Sequence, residues 1–132
     1  MSACYSVTLK IKGVKNEAAA IARLKEFIVN EKNTDFGLDD FKGIGVTDDT
    51  LDGIIQIVLA GWKDSPFKKS QEEGGVIRFD NGFNASYGWE SVMIDFFNAL
   101  GLYLDDGSSF YISVENDYDE AVVRQGAVIW IH

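Results

Sequence analysis

The spacing of apolar residues along the chain switches repeatedly between two-residue steps and three- or four-residue steps, and this switching constrains the fold more than any other feature. The first segment holds apolar residues at every second position: Tyr5, Val7, Leu9 and Ile11. Such alternation is typical of a half-buried strand. After Gly13, the spacing becomes that of an amphipathic helix, with Asn16 as its N-cap and an apolar stripe: Ile21, Leu24, Phe27 and Ile28.

The middle of the chain has a weaker pattern. Residues 33–53 combine four glycines with six aspartates and predict a long, irregular connection with a short strand at 42–47. Residues 54–62 are apolar and β-branched, and their short length predicts a central strand buried on both faces. Residues 63–75 contain the only proline and predict an exposed loop. Residues 76–79 predict a short strand that enters an Asp-Asn-Gly turn at 80–82.

The last third of the chain contains the clearest helical stripe, at steps of three, four and seven: Trp89, Val92, Met93, Phe96, Phe97 and Leu100. Glu90 suits the start of this helix and Gly101 suits its end. The remaining residues predict an antiparallel meander. One strand is centred on Ile112, a turn covers residues 116–119, and two short strands flank residues 125–126.

The predicted order of strand, helix, strands, helix and strands indicates an α+β fold. We expect a two-layer sandwich in which two helices cover one face of a mostly antiparallel sheet, as in an elaborated ferredoxin-like βαββαβ unit. The chain has 132 residues, which is the size of one ordinary domain, so residues 1–132 are predicted to form a single domain. With no signal peptide and no apolar run of membrane-spanning length, we expect a soluble, cytoplasmic protein.

Few residue types for catalysis are present. The chain has one cysteine, Cys4, and one histidine, His132, at its last position. One thiol excludes an intrachain disulfide and a zinc site built mainly from thiolates, and a terminal imidazole is a poorly anchored general base. We therefore expect no triad chemistry and no catalytic residue of that type. Cys4 itself is expected to be a small buried hydrophobe rather than a nucleophile.

Metal and cofactor motifs are also incomplete. Four residues imitate the first half of an EF-hand loop: Asp48, Thr50, Asp52 and Gly53. The position that requires a bidentate glutamate holds Leu59, so this motif fails. The acidic runs 105–107 and 117–119 favour polar turns over an irregular calcium site. Gly-Ile-Gly at 43–45 lacks the third glycine of a dinucleotide loop. We expect neither a metal nor a cofactor.

The distribution of charge is the most informative functional feature. Residues 1–69 hold ten basic and ten acidic residues, whereas residues 70–132 hold two basic and eleven acidic ones, so the second half accounts for the whole net charge of −9. The predicted meander contributes six candidate partner-binding acids that share this half: Asp105, Asp106, Glu115, Asp117, Asp119 and Glu120. If the meander gathers them at one edge, they would repel nucleic acid and attract the basic groove of a protein. The simpler interpretation is that the charge only favours solubility.

One aromatic residue is a further candidate for partner binding. Trp89 follows Tyr87 and Gly88 at the start of the second predicted helix. A tryptophan at the surface there would be an anchor, because Trp is enriched among interface hot spots. The simpler interpretation is that Trp89 packs in the core.

These features favour a non-enzymatic protein that binds a basic protein partner, such as a nuclease or other nucleic-acid-binding protein, and inhibits or regulates it. Immunity proteins, antitoxins and phage-encoded inhibitors, including anti-CRISPR proteins, act in this way, and the analogy rests on charge and size alone. Direct binding of nucleic acid or membrane is disfavoured. One alternative is a carboxylate enzyme or ligand-binding domain that uses Asp80, Glu90 or Asp95 as a general base with a raised pKa. Another is an oligomeric structural protein assembled through a strand edge.

Overall fold

A computed structural model describes residues 2–30, 49–60 and 67–131 of the chain. Nine main elements follow one another: β1 (Ser2–Ile11), α1 (Glu17–Asn30), α2 (Leu51–Ala60), β2 (Phe67–Gln71), β3 (Ile77–Ser86), α3 (Trp89–Leu100), β4 (Ser109–Val114), β5 (Asp117–Arg124) and β6 (Ala127–Ile131). Two single 3-10 turns are also present, at Glu73–Gly75 and Gly101–Tyr103. Among the described residues, no helix is both long and apolar enough to cross a membrane.

The six strands form one sheet in the order β2-β3-β1-β4-β5-β6, and every neighbouring pair is antiparallel. Six of the elements follow the predicted βαββαβ order: β1, α1, β2, β3, α3 and β4. Helix α2 and strands β5 and β6 are additions to this unit. The predicted two-layer α+β sandwich with a mostly antiparallel sheet is confirmed, with three described helices rather than two.

The alternation of β1 divides the sheet into a helix-facing side and an open side. Tyr5, Val7 and Leu9 are buried toward the helices, where Leu9 is paired with Phe79 on one neighbour and Phe110 on the other. The open side of β1 is polar. Cys4 lies on this open side and is exposed, with its Sγ donating to Asn84 Oδ1 at 3.0 Å. The expectation that Cys4 is buried is therefore wrong, because it occupies the polar phase of the alternation.

Helix α3 confirms the predicted apolar stripe. Phe96 and Phe97 are fully buried, as are Met93 and Leu100. The ring of Phe97 stacks on Phe110 at 5.2 Å between centroids, and its edge contacts Trp130 of β6 at 6.2 Å. This aromatic cluster joins α3 to the added strands of the meander.

The segment predicted as a central buried strand at 54–62 is instead helix α2, as far as it is described. The helix begins after Thr50, whose Oγ1 accepts from the Gly53 N–H at 3.0 Å. Six of its side chains are buried: Leu51, Ile54, Ile55, Ile57, Val58 and Leu59. The partly exposed polar residues of this helix are only Asp52 and Gln56, so a single polar residue interrupts the apolar run from Ile54 and the run resembles that of a buried strand.

Two more boundaries differ from the prediction. The Asp-Asn-Gly sequence at 80–82 makes no turn and lies inside β3, which pairs with β1 over its full length. Tertiary pairing thus overrides the local turn preference of Asn-Gly. Part of the predicted loop at 63–75 is strand β2. The strand predicted at 42–47 lies outside the described residues.

Candidate protein-binding site

The structure divides the six candidate acids of the meander between the two ends of β5. Glu115 and Asp117 lie where β5 begins, whereas Asp106 contacts the turn that follows Arg124 at its other end. An eight-residue strand spans roughly 25 Å. The six acids therefore do not gather at one edge: Asp106 lies at one end of β5, and Glu115 and Asp117 lie at the other.

Asp105 and Asp106 belong to a structural turn. The carboxylate of Asp106 accepts from the backbone N–H groups of Gln125 at 2.8 Å and Gly126 at 3.2 Å, and these hydrogen bonds lower the pKa of Asp106 below its usual value. Lys15 lowers that pKa further by its charge. Asp105 packs against Gly13, and its N–H donates to the Gly13 carbonyl at 2.9 Å. Asp106 thus holds the β5–β6 turn in place near Lys15, whereas Asp105 contacts the segment after β1.

The other end of β5 forms a cleft of about 410 Å³, which we call the acidic cleft and which is lined by six residues: Glu90, Ile112, Val114, Asp117, Tyr118 and Asp119. Asp119 is paired with Ile112, and Asp117 is paired with Val114, so both aspartates share the helix-facing side of the sheet. Glu90, in the first turn of α3, supplies the third carboxylate. The described lining contains no lysine and no arginine.

A buried phenol orients Glu90. The hydroxyl of Tyr5 donates to Glu90 Oε2 at 2.9 Å. Burial of Tyr5, together with this hydrogen bond and the charge of Glu90, raises the pKa of Tyr5 to about 12. Tyr5 therefore stays a neutral donor at physiological pH. It is also held from the other side, where its ring stacks on Phe83 with centroids 5.5 Å apart.

A second phenol–carboxylate pair stands beside the acidic cleft. Tyr87 is 51% exposed, and its hydroxyl donates to Glu115 Oε1. The hydrogen bond to Glu115 and the charge of that carboxylate raise the pKa of Tyr87. Glu115 itself has a positive φ of 55° in the turn between β4 and β5. The pair links that turn to the start of α3.

The salt bridges known between pairs of described residues lie away from this end. The described residues form five salt bridges: Lys10–Glu72, Lys25–Asp49, Lys69–Asp52, Arg78–Glu72 and Arg78–Asp80. None of these five pairs includes Glu90, Glu115 or Asp117. Three of these pairs use lysines of the first half and two use Arg78 of the second half, and all five place basic side chains near β2, β3 and α2.

The two remaining candidates lie elsewhere. Trp89, considered as a surface anchor, is only 2% exposed and belongs to the core, because the apolar stripe of α3 starts with it. The exposed aromatic residue of that segment is Tyr87. Glu120 is exposed on the open side of the sheet, opposite Tyr111, and does not line the acidic cleft.

The enzyme alternative receives little support from Asp80. Burial opposes its ionisation, but hydrogen bonds from Arg78 at 2.8 Å and Thr8 at 2.8 Å outweigh burial and hold the pKa of Asp80 below its usual value. A general base at neutral pH needs the opposite shift. Asp95 is exposed on α3, beside a cavity that Arg23 also lines. Among the described residues, no group of three or more potential metal ligands is close enough to hold an ion.

Sequence reasoning missed the grouping of Glu90 with Asp117 and Asp119. The residues that build this site, Tyr5 and Glu90, are 85 positions apart. One signal was present: Asp117 and Asp119 are two positions apart, so they share one side of any strand that contains both. Comparison with protein-family models, curated proteins and solved structures gives no significant match to this chain.

Proposed function

We propose that the protein binds a basic protein partner, which it inhibits or regulates, and that the acidic cleft receives an arginine or lysine side chain of that partner. The observation that carries this proposal is that one cleft brings together carboxylates from two different elements, Glu90 of α3 and Asp117 and Asp119 of β5. Opposite charges in a recess are attracted more strongly than on an open surface, because the protein wall excludes part of the solvent.

The shape and chemistry of the acidic cleft suit a guanidinium group. Carboxylates from two different elements, α3 and β5, line the cleft, and pairs of a carboxylate with a planar guanidinium are among the strongest charge-assisted hydrogen bonds. Ile112 and Val114 supply apolar surface for the methylene groups of the incoming side chain.

The hydrogen bonds around the cleft favour binding over catalysis. Tyr5 holds Glu90, and Tyr87 holds Glu115, so two of the acids at this end are positioned by neutral donors. Positioned charge serves recognition of a basic groove, as in inhibitors of nucleases and of other nucleic-acid-binding proteins, whose own ligand is a polyanion. The immunity-protein and anti-CRISPR classes remain functional analogies on this basis.

The test compares two triple variants that remove the same charge. The cleft variant is Glu90→Gln/Asp117→Asn/Asp119→Asn, and the control variant replaces three exposed acids elsewhere: Glu73→Gln, Asp95→Asn and Asp105→Asn. Fluorescence anisotropy measures binding of labelled nona-arginine and nona-lysine at low salt and at about 0.2 M salt. We expect the cleft variant to weaken nona-arginine binding by about tenfold or more and the control by less than about threefold.

The same variants identify the partner. Affinity capture from the native host, followed by mass spectrometry, should recover a basic protein with the wild type and with the control variant but not with the cleft variant. Equal weakening by both variants would show that the whole negative surface, rather than the cleft, attracts cations. If neither variant changes binding, the acidic residues serve solubility and the proposal fails.

A further inference from the structure

The two edge strands of the sheet differ in how they are protected. Strand β2 carries exposed Lys68 and Lys69, which is a common way of preventing an edge from pairing with another chain. Strand β6 has the sequence Ala-Val-Ile-Trp-Ile and contains no charged residue. Among the described residues, no strand pairs with its outer edge. The edge of β6 therefore lacks the protection that β2 has.

The open side of the sheet near this edge carries exposed apolar side chains, together with Glu120 and Arg124 of β5. Ile129 and Ile131 of β6 are 44% and 49% exposed. Tyr111 and Tyr118 are also exposed on this side, and their rings stack at 5.7 Å. We call Tyr111, Tyr118, Ile129 and Ile131 the edge patch. Clustering of exposed large apolar side chains beside an unpaired edge is typical of an interaction surface.

The β5–β6 turn shows which backbone groups point outward. Gln125 and Gly126 both have positive φ, 54° and 75°, as in a type I′ two-residue hairpin. The pair that closes such a hairpin, Arg124 and Ala127, is a hydrogen-bonded pair. Because inward and outward groups alternate along a strand, the N–H and C=O groups of Val128 and Trp130 point to the free edge.

We propose that β6 pairs antiparallel with β6 of a second copy of this chain, about a two-fold axis at Ile129. Val128 of each copy then lies opposite Trp130 of the other, so the outward backbone groups of both strands form four hydrogen bonds. The two six-stranded sheets become continuous, and the contact is isologous, as in most protein dimers. Ile129 meets its own counterpart on the open side, which joins the two edge patches.

The register favours a second copy over a foreign strand, because the edge is self-complementary. The two-fold axis places the large Ile131 opposite the small Ala127 of the second copy. Glu120 neighbours Ile131, and Arg124 neighbours Ala127, within β5. Glu120 of one copy and Arg124 of the other therefore lie in one row of residues, which runs from β5 through the two paired β6 strands to β5 of the other copy. Their charges are opposite, and the two-fold axis repeats this arrangement on its other side. A single strand without β5 would lose this complementarity.

Salt distinguishes this contact from the proposed binding of a basic partner. Each copy carries a net charge of −9, so the copies repel each other and salt screens that repulsion. Raising salt from about 50 mM to about 500 mM should strengthen the dimer while it weakens binding of nona-arginine. Failure of one proposal thus leaves the other intact.

The first experiment measures self-association by sedimentation velocity at protein concentrations up to about 1 mM. Ile129→Lys places two ammonium groups opposite each other at the axis and should weaken the dimer by about tenfold or more, even though it lowers the net negative charge. Ser70→Lys, which makes the same change of charge on exposed strand β2, should leave the dimer unchanged. Circular dichroism checks that both variants fold.

The second experiment tests the register by cross-linking in a Cys4→Ser background. Ile129→Cys places two thiols at a non-hydrogen-bonded pair, where Cα atoms are about 4.5 Å apart, so oxidation should yield a covalent dimer. Ala127→Cys places the two thiols about 13 Å apart along the strands and should not cross-link. A wild type that stays monomeric at every concentration and salt, equal dissociation by Ser70→Lys, or equal cross-linking at both positions would overturn the proposal.

Discussion

Removal of the Phe97 ring should destabilise the protein more than any surface change of similar chemistry. Phe97 is fully buried, stacks on Phe110 at 5.2 Å and contacts the Trp130 ring at 6.2 Å. Phe97→Ala deletes both ring contacts and leaves a cavity between α3 and the meander. Buried Phe→Ala changes cost about 3–5 kcal/mol, which is a large part of the roughly 5–15 kcal/mol that stabilises an ordinary domain.

Urea unfolding followed by tryptophan fluorescence and far-UV circular dichroism measures this loss. With a slope of about 2 kcal/mol per molar urea, the midpoint should fall by roughly 2 M. Leu102→Ala is the matched control, because Leu102 is also apolar, lies just beyond α3 and is 54% exposed, so its loss should stay within about 0.5 kcal/mol. Similar losses for the two variants, or a loss below about 1 kcal/mol for Phe97→Ala, would refute the assignment of the buried face of α3.

Two further changes test local structure. Thr50→Ala removes the hydroxyl that accepts from the Gly53 N–H, so the free energy of unfolding measured in urea titrations should fall by about 1 kcal/mol. Thr50→Ser keeps a hydroxyl at this position and should retain most of the wild-type stability. Asp106→Asn tests the hydrogen bonds from Gln125 and Gly126, which lower the native pKa of Asp106. A native pKa below the unfolded value stabilises the fold above about pH 4, and this stabilisation is lost as pH falls through the native pKa. The melting temperature of Asp106→Asn should therefore lie below that of wild type at pH 7 and converge with it in acid; a constant difference would contradict this linkage.

The parts of the fold that could be predicted are those with one solvent face. Strand β1 and helix α3 each bury one side. The spacing of their polar residues therefore indicates both the type of element and which of its sides is exposed. Helix α2 was predicted wrongly because most of its side chains are buried, so polar residues at helical spacing are too few in its sequence to indicate a helix. The turn predicted at the Asn-Gly pair inside β3 is absent for another reason. The local turn preference of Asn-Gly is weaker than the pairing of β3 with β1 along ten positions.

The candidate site was predictable only in its chemistry. Composition placed the negative charge in the second half, and the meander that carries much of it is present. The position of each acid in the site depends on which end of β5 it lies near. Asp106 lies near the end of β5, whereas Asp117 lies at its start and lines the acidic cleft. It also depends on α3 bringing Glu90 against the sheet beneath Tyr5. Contacts between such distant positions leave no periodic trace in a single sequence.

The burial of α2 also determines what the protein does when it unfolds. Residues 53–60 read Gly-Ile-Ile-Gln-Ile-Val-Leu-Ala, with no charge and no proline, and three isoleucines and a valine give them high β-propensity. In the native state these residues are helical and packed against α1, β2 and β3. Once released, they have the composition of segments that stack into intermolecular cross-β structure. Variants that loosen the core should therefore lose solubility as they lose stability, and a charged residue at any of the buried positions within 53–60 would suppress the aggregation only at the cost of the packing of the helix.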